Sequence, residues 1–139
     1  MILSSQIRET GLIIFCRNNS KRLPKKGFIK IGNRCLLGRI IDLAKLVGDN
    51  LRIVVATSDQ NYDDSIEEFC NYEKISIFRG NESNVLKRAI DCCETFGFKR
   101  FARICADRPF FSPSLIESLL SDHIKLNLDL ATNCLKKTY

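Results

Sequence analysis

Two arginines and three lysines crowd into the ten residues Arg17-Asn18-Asn19-Ser20-Lys21-Arg22-Leu23-Pro24-Lys25-Lys26, and no acidic residue occurs between Arg17 and Ile41. The paired asparagines, the serine and the proline make this stretch a turn rather than a helix. It directly follows the apolar run Leu12-Ile13-Ile14-Phe15-Cys16. A cationic loop at the carboxyl end of a buried strand suits a polyphosphate. Arg17, Arg22 and Lys26 are the candidate clamps and Ser20 a hydroxyl donor. Asn18 and Asn19 tolerate the left-handed backbone that lets such a loop curl its amides inward. Taken alone, the same residues also describe a solvated basic turn.

Three more stretches carry groups suited to a phosphate-bearing ligand. In Ala56-Thr57-Ser58-Asp59 the small hydroxylated residues let a base or ribose approach the backbone; an ordinary loop with Asp59 as a helix cap is the alternative. In Arg79-Gly80-Asn81-Glu82-Ser83, Gly80 permits a tight turn and Arg79 can stack on or hydrogen-bond a base. Asn81 or Ser83 can cap a following helix, whose free amides also bind ligands. In Ala106-Asp107-Arg108-Pro109, just past Arg103, Asp107 stands where a Mg²⁺-triphosphate carboxylate is usual, or is a turn residue. His123, the only histidine, is read as structural or exposed, and no Ser/His/Asp set assembles around it.

The elements that must position these groups alternate along the chain. Leu12–Cys16, Arg52–Thr57, Ile75–Arg79 and Phe101–Cys105 read as strands, and Leu128–Thr132 as the start of a fifth. Residues 35–47 place Leu36, Leu37, Ile40, Ile41, Ala44 and Val47 on one helical face, with Gly48 as a stop. Asp63–Asn71 is a short helix with Ile66, Phe69 and Cys70 inward. Residues 83–96 form the clearest amphipathic helix, through Val85, Leu86, Ala89, Ile90, Cys93 and Phe96, and Gly97 ends it. Ser112-Pro113 reads as an N-cap followed by proline at the first helical position, opening a helix with Leu115, Ile116, Leu119 and Leu120 inward. The pattern is one α/β domain: a Rossmann-like, three-layer α/β/α arrangement with a mostly parallel sheet. Residues 1–10 are an N-terminal extension and 11–139 the domain. Ligands of such sheets sit beyond the carboxyl ends of the strands, where all four stretches fall.

Composition narrows the class. The 139 residues are 45% hydrophobic, enough for a core. No apolar run reaches the length of a membrane span, and residues 1–10 hold no apolar signal core, so a cytoplasmic protein is expected. Seven cysteines form neither a CxxC pair nor a Cys/His zinc pattern. Cys16, Cys70, Cys93 and Cys105 lie in apolar segments and read as small buried hydrophobes in a reducing compartment. A net charge of +6 suits a phosphate-bearing partner. Readers of nucleic acid usually interleave aromatics with basic residues. Here the basic segment has only Phe28, and the chain no Trp, so nucleic acid is not the expected partner.

At these residues the chain resembles the cytidylyltransferase family that makes CMP-activated sugars, and within it the branch of spore coat polysaccharide biosynthesis protein F. That branch carries A-R-x-x-S-x-R-L-P-x-K after its first strand, matched by Cys16 to Lys26. Its A-T-S motif is Ala56-Thr57-Ser58. Its R-G-x-x-x-x-V-L-x-R motif is Arg79-Gly80, Val85-Leu86 and Arg88, and its R-x-x-x-D-x-P motif is Arg103, Asp107 and Pro109. The stretch from Ala131 to Tyr139 resembles the family's segment after the fifth strand. The resemblance implies a nucleotide-diphospho-sugar transferase fold of the GT-A kind. It also implies attack of a sugar hydroxyl on the α-phosphorus of CTP with release of pyrophosphate, in surface-polysaccharide biosynthesis. It assigns catalysis to Arg17, Lys26 and Asp107 and Mg²⁺ to Asp107. Nucleotide contacts fall to Arg17, Asn19, Ser20, Arg22, Lys26, Thr57, Arg79, Ser83 and Arg103. The partners implied are CTP and a sugar acid or related sugar, and a homodimer is left open. Three positions depart from the pattern, where Asn19, Lys25 and Ala106 replace glycines. The chain also stops where the family enters its second half, which brings sugar contacts, a second metal carboxylate and a dimer-forming arm. A fragmentary or non-catalytic nucleotide-binding domain is therefore the alternative expectation.

Overall fold

A computed structural model of the chain describes residues 6, 8–49 and 51–134. Its main sheet has four strands: β1 (Thr10–Phe15), β4 (Arg52–Ser58), β5 (Ser76–Gly80) and β6 (Arg100–Cys105). They are ordered β5-β4-β1-β6, and every pairing is parallel. β1 is apolar without alternation because both its faces are covered. Leu12, Ile14 and Cys16 belong to one core cluster and Ile13 to the other. Helices α1 (Leu36–Ala44), α2 (Asp64–Glu73) and α4 (Pro113–Lys125) supply Leu37, Ile40, Ile41, Ala44, Ile66, Cys70 and Leu120 to the first cluster. Helix α3 (Val85–Phe96) covers the opposite face with Cys92 beside Phe98. The chain winds from β1 outward to β5, then returns through α3 to place β6 on the other side of β1. The strand order therefore reverses between β1 and β6, the switch point where ligands of such sheets bind.

Ser112 caps α4 by accepting from Leu115 N, with Pro113 at the first helical position, and Gly97 ends α3 at φ 71°. Three expectations need correction. Among the described residues no fifth strand forms over Leu128–Thr132: Leu128 and Leu130 are exposed, and an apolar alternation makes a strand only where a neighbour offers a ladder. Helix α3 is turned from its expected face: Leu86 is 71% exposed and Ile90 49%, while Ala89, Cys92 and Arg88 are buried. The buried guanidinium of Arg88 fixes that rotation, because it donates to the carbonyls of Asn81 and Glu82. The cap of α3 is Asn84, not Asn81 or Ser83; its side chain accepts from Lys87 N, while Asn81 Oδ1 accepts from Asn84 N.

A hairpin inside the basic segment, β2 (Lys30–Ile31) with β3 (Arg34–Cys35), is additional to the expected elements. Gly32, at φ 67°, and Asn33 form its turn. A Gly-Asn pair is a recognised hairpin signal. Arg34 ties the hairpin to the helices through Asp42 of α1 and Glu73 of α2.

Candidate functional site

The β1 loop hangs from Asn18. This residue is buried, its backbone N–H donates to Asp63 Oδ1 (2.7 Å), and its side-chain amide donates to the Tyr62 carbonyl and Ser65 Oγ. Its carbonyl accepts from both Ser20 N and Lys25 N, each at 2.9 Å, which closes residues 18–25 into a ring. Lys25 completes the turn in the left-handed region (φ 52°, ψ 29°). This is one of the positions where the family pattern has glycine, and that conformation costs a non-glycine residue about 1 kcal/mol.

Asp63 lies beneath this ring with no solvent exposure. Its second oxygen accepts from Thr57 Oγ1 (2.9 Å), Ser58 N (3.1 Å) and Ser58 Oγ. A buried carboxylate is tolerated when hydrogen bonds surround it, and this one stitches the end of β4 to the start of the β1 loop. Nearby, burial raises the Cys16 thiol from its usual 9.0 to about 12, with the charge of Asp63 adding to the shift.

The loop presents its cations outward. Arg17, Lys21, Arg22 and Lys25 are exposed, and among the described residues none has a carboxylate within salt-bridge distance. Lys26 differs: its Nζ lies 2.6 Å from Asp107 Oδ2, across the switch point between β1 and β6. The Lys26 hydrogen bond holds the Asp107 carboxyl below the usual carboxylate range, against the opposing effect of burial. Under the loop, Phe15 receives two guanidiniums, Arg88 at 5.8 Å and Arg103 at 5.6 Å from its ring centre. Burial lowers the Arg88 pKa, and the neighbouring charge of Arg17 lowers it further.

The expected site residues thus divide. Arg17, Asn19, Ser20, Arg22 and Lys26 share one loop, and Asp107 meets it directly. Ser83 lies in the β5 loop, where its hydroxyl donates to Asn81 Oδ1. The Asn19 amide reaches that loop at Glu82 Oε1 (3.3 Å). Thr57 stands apart: its side chain is fully buried and spent on Asp63, so it supports the site from below and offers no surface to a ligand. Arg79 also turns away, toward α2, with Asp64 at 2.7 Å, Glu67 at 2.6 Å and the carbonyls of Ser58 and Gln60. Those carboxylates raise its pKa. Arg103 lies down the strand on Phe15. Gly80 needs no left-handed backbone; a Cβ there would meet Phe78 Cε1 at 2.7 Å. Asp63, Tyr62 and Glu82 carry no signal of a site in their residue types, although each shapes it, and the left-handed backbone expected of Asn18 and Asn19 falls instead on Lys25.

Among the described residues no three His, Cys, Asp or Glu side chains cluster as a ready cage for a metal. Asp107 supplies a single carboxylate, 45% exposed. That donor set fits Mg²⁺, which commonly keeps its waters and binds through one or two carboxylates plus substrate phosphates.

A parallel sheet whose switch point brings a cationic loop against a carboxylate is the frame of a phosphate-handling α/β protein. Residues 12–138 match the family model described as cytidylyltransferase, and the chain belongs to that family. It is 34% identical over 117 residues to the uncharacterized protein MJ1063 of Methanocaldococcus jannaschii, covering 84% of this chain and 48% of that one. Over 121 residues it is 32% identical to the spore coat polysaccharide biosynthesis protein SpsF of Bacillus subtilis, covering 84% and 50%. A cytidylyltransferase structure from Leptospira borgpetersenii superposes with a TM-score of 0.86 at 26% identity, over 94% of this chain and 56% of that one. A CMP:2-keto-3-deoxy-manno-octonic acid synthetase solved with CTP superposes at 0.70 and 19% identity, over 84% and 48%, and shares the fold. The fold is of the nucleotide-diphospho-sugar transferase type. The chain spans about half the length of the relatives it matches. No helix among the described residues is long and apolar enough to cross a membrane.

Proposed function

We propose that this chain carries the nucleotide site of an enzyme that transfers CMP from CTP to a sugar acid or related sugar in surface-polysaccharide biosynthesis. The observation that carries this reading is the meeting of Lys26 and Asp107 at the switch point, beside four exposed cations that have no acidic partner among the described residues. In the reaction a sugar hydroxyl oxygen bonds to the α-phosphorus, the bond from that phosphorus to the bridging oxygen breaks, pyrophosphate leaves, and the hydroxyl proton passes to solvent. Such a transfer needs positioning and charge neutralisation more than a covalent nucleophile. Arg17 and Arg22 bind the triphosphate from the β1 loop, Ser20 donates to it, and Lys26 exchanges its carboxylate partner for a phosphate oxygen. Asp107 would hold Mg²⁺, which when bound would supply charge neutralisation at the leaving group. A cytoplasmic location suits the packing of Cys16, Cys70 and Cys92 in the core as small apolar side chains.

The test is calorimetric titration with CTP and Mg²⁺, with ATP, GTP and UTP alongside, followed by a pyrophosphate-release assay with acidic and amino sugars. Selective CTP binding that is lost in Asp107→Ala is the expected result. Equal weak binding of all four nucleotides, unchanged by that substitution, refutes it. The half-length match to the relatives favours a second reading, a nucleotide-binding module without transfer activity. Pyrophosphate release by the chain alone refutes that one.

A further inference from the structure

The two flanks of the site differ in charge. On the β1/β6 flank every charged side chain offered to a ligand is a cation, except Asp107, which Lys26 engages. On the β5 flank stands Glu82. Its Oε1 accepts from Asn19 Nδ2 (3.3 Å) and from the Tyr62 hydroxyl, while Oε2 accepts nothing among the described residues. The other carboxylates at this end of the sheet have other partners. Asp63 is buried under the ring, Asp64 and Glu67 hold Arg79, and Asp59 accepts from its neighbour Gln60. Glu82 is thus the carboxylate that neutral donors from two other loops turn toward the β1 ring.

Its backbone is fixed as well. The buried Arg88 guanidinium donates to the carbonyls of Asn81 and Glu82 (2.7 and 3.2 Å), and the Asn81 side chain accepts from Asn84 N. Glu82 also raises the pKa of the Tyr62 phenol, which keeps it a donor to the carboxylate. The strands before Glu82 and Asp107 are the two ends of a four-stranded sheet, three strand spacings or about 14 Å apart. A nucleoside triphosphate laid across that span has one orientation without a like-charge conflict, with phosphates over the β1 ring and nucleoside toward β5.

We infer that Glu82, held by Asn19 and Tyr62, is the specificity-determining residue of this site, accepting a hydrogen bond from a donor group on the nucleoside. This rests on the proposed CTP-binding function. A carboxylate only accepts. It therefore pairs with an exocyclic amine, such as the 4-amino group of cytosine, or with a ribose hydroxyl, and it opposes the 4-oxo group of uracil.

The experiment titrates wild type, Glu82→Gln and Tyr62→Phe with CTP, UTP, dCTP and inorganic triphosphate, each with Mg²⁺. Removing a charged hydrogen-bond acceptor predicts a 10- to 100-fold weaker CTP affinity in Glu82→Gln. Inorganic triphosphate affinity stays unchanged in that variant, because the β1 ring remains pinned by Asn18. If the donor is the amine, the wild-type preference for CTP over UTP collapses in Glu82→Gln. If it is the ribose, the preference for CTP over dCTP collapses. Tyr62→Phe, which removes a partner of Glu82 without removing the acceptor, weakens CTP less than Glu82→Gln does. Selective CTP binding with equal affinity in wild type and Glu82→Gln overturns this inference and leaves the proposed function standing. A parallel loss of inorganic triphosphate binding also overturns it, since Glu82 would then serve only to hold the loop. Wild type that binds inorganic triphosphate but prefers no nucleotide refutes both.

Discussion

Asp63→Asn tests whether the buried carboxylate organises the site. The wild-type side chain accepts from Asn18 N through one oxygen, and from Thr57 Oγ1, Ser58 N and Ser58 Oγ through the other. An asparagine must aim its amide nitrogen at one of these two sets. Aimed at Asn18, it strands that backbone N–H. Aimed at β4, it lets the two hydroxyls rotate and accept but strands Ser58 N. Either choice leaves one buried donor unpaired, at about 1–3 kcal/mol, and makes the remaining bonds neutral rather than charge-assisted. Relief from burying a charge acts in the opposite direction, so the expected net loss is about 2–3 kcal/mol. Against a total of about 5–15 kcal/mol the variant still folds. Urea unfolding followed by circular dichroism measures it: with a slope of about 1–3 kcal/mol per molar, the midpoint falls by about 0.7–3 M. CTP affinity falls with it, because the β1 ring loses one of its tethers. A midpoint within about 0.2 M of wild type would refute the reasoning, since the bonds to Asp63 would then be contributing almost nothing.

Other substitutions and conditions separate packing from function. Lys26→Met removes an ion pair whose carboxylate is 45% exposed, so unfolding at neutral pH shifts by less than about 1 kcal/mol while CTP binding weakens at least tenfold. Because Lys26 lowers the Asp107 pKa, the pair's small stabilisation is present at neutral pH and fades below about pH 4; a carboxyl NMR titration of the variant returns Asp107 to the ordinary range. Gly11→Ala places a Cβ within 2.4 Å of the Phe98 ring and costs about 1–3 kcal/mol in a denaturation experiment, part of it recovered by adding Phe98→Leu. Burial raises the thiols of Cys16, Cys70 and Cys92 from 9.0 to about 12. Their protonated forms are therefore favoured in the folded chain, and stability falls as pH rises from 9 toward 12, by up to about 1.4 kcal/mol per pH unit for each thiol. Cys16→Ala flattens that slope.

The sheet was legible because its central strands are unbroken apolar runs and its helices repeat at helical spacing. The cationic ring and Asp107 were legible because they follow those strands directly. What escaped depends on partners far away in the chain. Asp63 and Asn18 are 45 residues apart, and nothing in either neighbourhood announces the other. Thr57 looked like a ligand contact because its hydroxyl stands at a strand end, but residue type does not say which side of the strand that hydroxyl takes. Arg79 shows the same difficulty: its motif was visible, whereas its capture by Asp64 and Glu67 required α2 to be in place. The face of α3 departs from its apolar periodicity because that pattern cannot anticipate a buried arginine. Arg88 turns inward to hold two carbonyls, and leucine goes to the surface in exchange.

The closure of residues 18–25 on one carbonyl has a consequence for how this surface can change over generations. The ring depends on Asn18 and on the main-chain N–H groups of Ser20 and Lys25. The exposed side chains of Lys21, Arg22 and Leu23 take no part in holding it. Descendants of this chain can therefore vary those three positions, and with them the charge and shape shown to a ligand, while inheriting the same scaffold. Asn18 has less latitude: its main-chain N–H keeps the bond to Asp63 in any non-proline replacement, but the side chain must again donate to both the Tyr62 carbonyl and Ser65 Oγ.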